Sequence, residues 1–150
     1  MDLKSMIAKY CAYQDRCQQE VKNKLYESGA SRDEVEDMLV WLIQEKFLDE
    51  ERYARSFARG KFRIKNWGRR KIVYELKQHQ ISEYCIRKGL SEIDETEYHQ
   101  TLQSLTEKKL PDLRSSGNIW AKRAKLQRYL NSKGFETELV NEMLNRYLGS

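Results

Sequence analysis

The residues able to do covalent or metal chemistry in this 150-residue chain are few and poorly spaced. Its three cysteines, Cys11, Cys17 and Cys85, form no Cys-x-x-Cys pair, and their odd number argues against a disulfide scaffold. A zinc site would have to borrow His79 and His99 from across the chain. Cys11 shares a helical face with Leu3, Ile7 and Tyr10 and reads as a small buried residue. Cys85 and His79 could be imagined as a nucleophile and a base, yet no third group orders them. Gly60-Lys61 runs into Phe62, and Arg55 stands five residues before Gly60, so a phosphate-cradling P-loop is absent. Glu92, Asp94, Glu95 and Glu97 could be drawn around a metal. Ser91 or Asp94 capping a helix, with carboxylates in the first turn offsetting its dipole, is the better account. These residues predict no catalytic site, no bound metal and no cofactor, hence no enzyme.

Charge is the stronger signal. The chain carries 28 Lys+Arg against 23 Asp+Glu, a net +5. That excess is sorted along the sequence. Arg52 to Gln80 holds ten basic residues against Glu75 alone, a net +9, and Lys108 to Lys133 holds eight against Asp112, a net +7. The remainder is therefore −11. A merely solvated face mixes its signs, whereas separation of this kind suits a binder of polyanions or acidic surfaces. At 100° per residue, Tyr53, Ala54 and Phe57 face a core while Arg52, Arg55, Arg59 and Arg63 lie opposite. In the next helix Ile72, Val73 and Leu76 point inward, and Arg70, Lys71, Tyr74 and Lys77 outward. Arg69 falls on the apolar side and reads as structural, or as a contact at the helix start. Between these helices, Lys65-Asn66-Trp67-Gly68 sets an aromatic beside cations, where it either stacks on a base or partner ring or closes the turn. The candidate binding residues are Arg52, Arg55, Arg59, Arg63, Lys65, Trp67, Arg70, Lys71 and Lys77, joined by Lys122, Lys125 and Arg128. No bidentate arrangement for reading base edges accompanies them, so any DNA contact is expected at phosphates.

The elements that must position these groups repeat. Leu25, Gly29, Ala30, Val35 and Leu39 return 51 residues later as Leu76, Gln80, Ile81, Ile86 and Leu90, and 54 residues after that as Leu130, Gly134, Phe135, Val140 and Leu144. Each copy reads as helix, tight turn, helix. Ser31 and Ser82 stand at equivalent N-caps, with Glu136 and Thr137 near the third. Gln80 replaces glycine at a turn slot and must accept a strained or different turn. A further helix precedes each pair, marked by Leu3, Ile7, Tyr10 and Cys11, by Tyr53, Ala54, Phe57 and Ala58, and by Tyr98, Leu102 and Leu105. The fold class expected is all-α, three tandem three-helix repeats at 1–47, 48–93 and 94–150, in an elongated, curved array. Leu110 to Asn118 is the one candidate linker. Units near 50 residues bury little core alone, so neighbours share surface, with Trp41, Phe47 and Trp120 as joints.

Hydrophobic residues at 39% and charged ones at 34% leave no run near the ~18 apolar residues of a membrane helix. The start, Met1 to Met6, lacks the basic-then-apolar order of a secretory signal. A cytoplasmic monomer without membrane contact is the expectation.

Two segments carry a resemblance. Phe47-Leu48-Asp49-Glu50-Glu51-Arg52-Tyr53-Ala54-Arg55-Ser56-Phe57, followed by Trp67-Gly68-Arg69-Arg70-Lys71-Ile72 and Tyr74-Glu75-Leu76, resembles the second repeat of the RecX family, bacterial regulators of the RecA recombinase. Glu50, where a second Asp is frequent, and Gln80, where Lys-Gly-Ile is usual, depart from the pattern. The resemblance implies a non-enzymatic protein of homologous recombination and DNA repair. Such a protein lodges in the groove of the RecA filament on DNA and modulates, usually inhibits, its strand exchange and ATP hydrolysis. The partner it supplies is the RecA filament, with the DNA phosphate backbone as a second contact. The alternative is an architectural module gripping DNA phosphates without a protein partner. Reversing Arg59, Arg63, Arg70 and Lys71 to Glu is then expected to weaken inhibition without unfolding the chain.

Overall fold

A computed structural model describes residues 2–149; Met1 and Ser150, at the ends of the first and third expected repeats, lie outside the described residues. Among the described residues there are nine α-helices and no strand: α1 (Leu3–Tyr13), α2 (Gln18–Glu27), α3 (Arg32–Gln44), α4 (Glu50–Lys65), α5 (Arg69–Gln78), α6 (Glu83–Leu90), α7 (Glu95–Lys109), α8 (Ile119–Lys133) and α9 (Thr137–Leu148). None is long and apolar enough to cross a membrane.

Local chemistry sets the boundaries. The Ser31 hydroxyl accepts the Glu34 amide while the Glu34 carboxylate accepts the Ser31 amide, a reciprocal cap that starts α3. Ser82 Oγ takes the Cys85 amide at 3.2 Å, and Asp94 the Glu97 amide at 3.0 Å. Asp94 thus serves as a cap. At the three equivalent turn slots φ is +90° for Gly29, +60° for Gln80 and +95° for Gly134. Gln80 keeps the same left-handed turn as the two glycines, at a cost of roughly 1–2 kcal/mol for its Cβ.

The chain packs as two compact units. Unit 1 comprises residues up to Phe57 together with Leu76–Gly89. Ile7, Cys11, Val21, Leu25, Val35, Leu39, Leu42 and Leu48 form its main cluster, with the Trp41 ring 5.6 Å from Phe47. Burial pushes the Cys11 thiol up to about 11, which suits a packing role rather than a reactive one. Gly89 lies so close to α4 that a Cβ there would meet the Ala54 carbonyl oxygen at 2.6 Å.

Unit 2 comprises Ala58–Glu75 and the residues from Leu90 onward. Its centre is Tyr98, fully buried, with ring centroids 5.8 Å from Phe62 and 5.2 Å from Phe135. The Tyr98 hydroxyl accepts the Arg69 amide at 2.9 Å and donates to Glu136. The Arg69 guanidinium lies 3.9 Å from the Tyr98 ring centroid and pairs with Glu136 at 2.8 Å and with Glu95. Burial works against both charges, lowering the pKa of Arg69 and raising that of Glu136. The hydrogen bonds and opposite charges outweigh it, so Arg69 ends above its usual range and Glu136 below. Of the two roles its apolar register allowed, Arg69 takes the structural one.

Two expectations change here. The first part of the linker is folded: Leu110–Leu113 forms a 3-10 turn with Pro111 in its first residues and Leu113 buried. Pro suits that position because the first amides of a helical turn have no partner anyway. Trp120, expected at a joint, is 72% exposed.

Candidate functional site

The two halves of the expected basic face behave differently. Arg52 is pinned to Asp15 at 2.7 Å and donates to the Lys46 and Phe47 carbonyls. Arg55 pairs with Glu51 at 3.0 Å, and Arg59 with Glu92 at 2.6 Å. The segment seemed to hold Glu75 as its only acid. Its arginines instead find carboxylates just before it, at Glu51, and far from it in sequence, at Asp15 and Glu92. These three are solvent-accessible yet ion-paired within the fold, so the shortage of acids in their own segment does not leave them without carboxylate partners.

Beyond Arg59 the picture reverses. Arg63 and Lys65 are exposed at the end of α4, and among the described residues neither has an ion-pair partner. Trp67 is half-buried in the α4–α5 turn, opened by Asn66 at φ +58°. The ammoniums of Lys61 and Lys71 lie 5.0 and 4.5 Å from its ring centroid. Trp67 therefore both closes the turn and holds two cations against its ring, a contact worth about 0.5–1 kcal/mol each at exposed sites.

The turn is anchored by a backbone junction. The Gly68 amide donates to the Lys133 carbonyl at 2.7 Å and the Arg70 amide to the Gly134 carbonyl at 2.9 Å. The start of α5 thus satisfies the end of α8, answering the orphan groups of both helices. No side chain fits between them. A Cβ on Gly68 would stand 2.4 Å from the Gly134 carbonyl carbon, and one on Gly134 would stand 2.4 Å from Lys71 Cβ.

Across this junction a second ring repeats the arrangement. Tyr129 of α8 has Lys109 Nζ 4.9 Å and Lys133 Nζ 6.0 Å from its centroid. Contacts thus lead from Lys61 through Trp67 to Lys71, across the glycines to Lys133, and through Tyr129 to Lys109. Cations alternating with rings along such a path can meet the phosphates and bases of an extended nucleic acid, or the carboxylates of an acidic protein surface.

Of the expected residues, Trp67 and Lys71 lie on this path, and Arg70 sits beside it, its guanidinium 3.4 Å from the Thr137 hydroxyl. Lys77 belongs to unit 1 and is exposed. On α8, Lys125 reaches the Ser116 hydroxyl at 3.1 Å, Arg128 is exposed, and Lys122 lines a separate cleft with Arg114. Lys61, Lys109, Tyr129 and Lys133 were missed as site residues. Tyr129 and Lys133 are one helical turn apart, so that half was legible. The approach of Lys109, twenty residues earlier, depends on tertiary packing.

Comparison with known proteins follows the same lines. Residues 49–90 match the second three-helix domain of RecX, and residues 95–144 match the third. The chain is 30% identical over 139 residues to the regulatory protein RecX of Prosthecochloris aestuarii, covering 93% of this chain and 89% of that protein. It is 32% identical to the regulatory protein RecX of Clostridium tetani, of whose length it spans 62%. Two crystal structures share the fold. One is RecX from Lactobacillus salivarius, with TM-score 0.80, 22% identity and coverage of 95% of this chain and 92% of the other. The second is a regulatory protein RecX, with TM-score 0.84, 26% identity and coverage of 95% and 70%.

Proposed function

This chain belongs to the RecX family of regulatory proteins, and on that premise we propose that it acts without enzymatic chemistry of its own, binding the RecA filament on DNA and modulating, usually inhibiting, strand exchange and ATP hydrolysis. Family membership carries the proposal. The path of four lysines around Trp67 and Tyr129 supplies a surface suited to it, because a filament on DNA presents phosphate and carboxylate together. Arg63, Lys65 and Arg70 extend that surface. On this reading the protein works in the cytoplasm as a monomer.

The experiment is RecA-catalysed ATP hydrolysis on single-stranded DNA, titrated with this protein. A saturable fall in the steady-state rate is expected. A rate unchanged at stoichiometric excess would overturn the proposal.

A second reading, direct gripping of DNA without RecA, is favoured by one observation: the two rings set among cations. It predicts binding to bare oligonucleotide with a steep salt dependence, about 0.7 in log–log slope per phosphate neutralised on a single strand and about 0.9 on duplex.

A further inference from the structure

The inward stripe of α8 runs through Ile119, Leu126 and Leu130. The last two are fully buried, yet Ile119 is exposed, so the stripe loses its cover at the first turn of the helix. One turn along, Lys122 lines a cleft of about 400 Å³ with Arg114 and the apolar side chains of Leu110, Pro111, Leu113 and Leu148. The 3-10 turn that supplies three of those apolar residues gives the cleft a folded wall. The carboxylate lining it, Glu107, is engaged by the Tyr147 hydroxyl at 2.8 Å. Among the described residues neither Arg114 nor Lys122 has an ion-pair partner.

We propose that this cleft receives a short acidic segment of a partner protein. One large apolar side chain enters among Leu110, Pro111, Leu113 and Leu148, and flanking carboxylates meet Arg114 and Lys122. The composition of the site selects that occupant. Its apolar walls want a side chain that loses water, and its two unanswered cations want negative charge on either side of that anchor. A nucleic-acid strand satisfies the second demand but fits the first poorly, since a base entering these aliphatic walls would leave its own ring polar atoms unpaired. This inference stands apart from the regulator reading, and its test contains neither filament nor DNA.

The measurement is fluorescence anisotropy of a fluorescein-labelled peptide with one Phe between runs of Glu, titrated with the full chain. Saturable binding is expected. It should weaken about tenfold or more in the Arg114→Glu, Lys122→Glu double variant, and comparably when Ser replaces the peptide Phe. The Lys9→Glu, Arg87→Glu double variant, an equal change of charge at exposed sites on α1 and α6, should leave the affinity unaltered. Circular dichroism checks that each variant is folded. The proposal is overturned by absence of binding, by equal binding of the Ser peptide, or by equal weakening in the Lys9→Glu, Arg87→Glu variant, which would mark general charge attraction. Displacement of the peptide by a single-stranded oligonucleotide would assign the cleft to nucleic acid and overturn it too.

Discussion

Arg69, Tyr98 and Glu136 form a linked group in which each member needs the others, and acid should take it apart. Folding holds the Glu136 carboxyl below its ordinary 4.5 despite burial, because Tyr98 and Arg69 donate to its ionised form. A group with a depressed folded pKa stabilises fully above its unfolded value, and the contribution disappears as pH falls through the folded one. The urea midpoint of the wild type should therefore drop below about pH 4.5 more steeply than that of Glu136→Gln, with the two curves converging in acid. Parallel curves would mean that Glu136 has no ionic role. Gln80 offers the opposite case, a strained position open to relief. Gln80→Gly should remove the left-handed penalty while adding unfolded-state entropy, for a net gain of about 0.5–1 kcal/mol in chemical denaturation. At this scale, the local register of Arg69 left it either structural or a contact at the helix start, and its pairing with Glu95 and Glu136 decides for the first. The pairings of Arg52 with Asp15 and Arg59 with Glu92 were hidden, because their carboxylates stand 37 and 33 residues away.

Helices and their turns were the most legible part. Apolar positions at helical spacing, serine caps and turn slots are properties of a few consecutive residues, and Leu25, Leu76 and Leu130 all prove fully buried. Leu76→Ala should accordingly cost about 2–5 kcal/mol in unfolding free energy. A cost near zero would show that the slot is not core. What local pattern did not disclose is how an end of one helix serves another. Gly68 looked like a turn glycine, but its distinctive constraint is the approach of Gly134 from α8. Gly68→Ala should destabilise by about 1–3 kcal/mol, as overpacking does, and should also alter the Trp67 emission as the turn shifts. The same substitution at Gly60, where an added Cβ meets nothing within 4 Å, should be harmless or mildly stabilising and serves as the control. Leu110 to Leu113 shows the converse error. The segment reads as linker, yet Pro111 at the start of a 3-10 turn is a residue that fits.

On the scale of the whole molecule, charge sorting in the sequence located the basic regions and overstated how many of their arginines are without a carboxylate partner. Reversing Arg59 would break its contact with Glu92 and confuse unfolding with loss of binding, so the informative set is Arg63, Arg70 and Lys71, extended by Lys133. Those four lie outside the ion pairs that hold the fold. The RecA filament is the partner proposed from family membership, and the rings and lysines around Gly68 and Gly134 form the surface proposed to meet it. The most direct test compares association of fluorescently labelled protein with preassembled RecA filament and with the same single strand bare, for the wild type and for the Arg63, Arg70, Lys71 and Lys133 reversal to Glu. Tighter association of the wild type with filament than with naked strand, lost in a folded variant, is the predicted result; equal association with both, or a variant that binds filament as the wild type does, would contradict it.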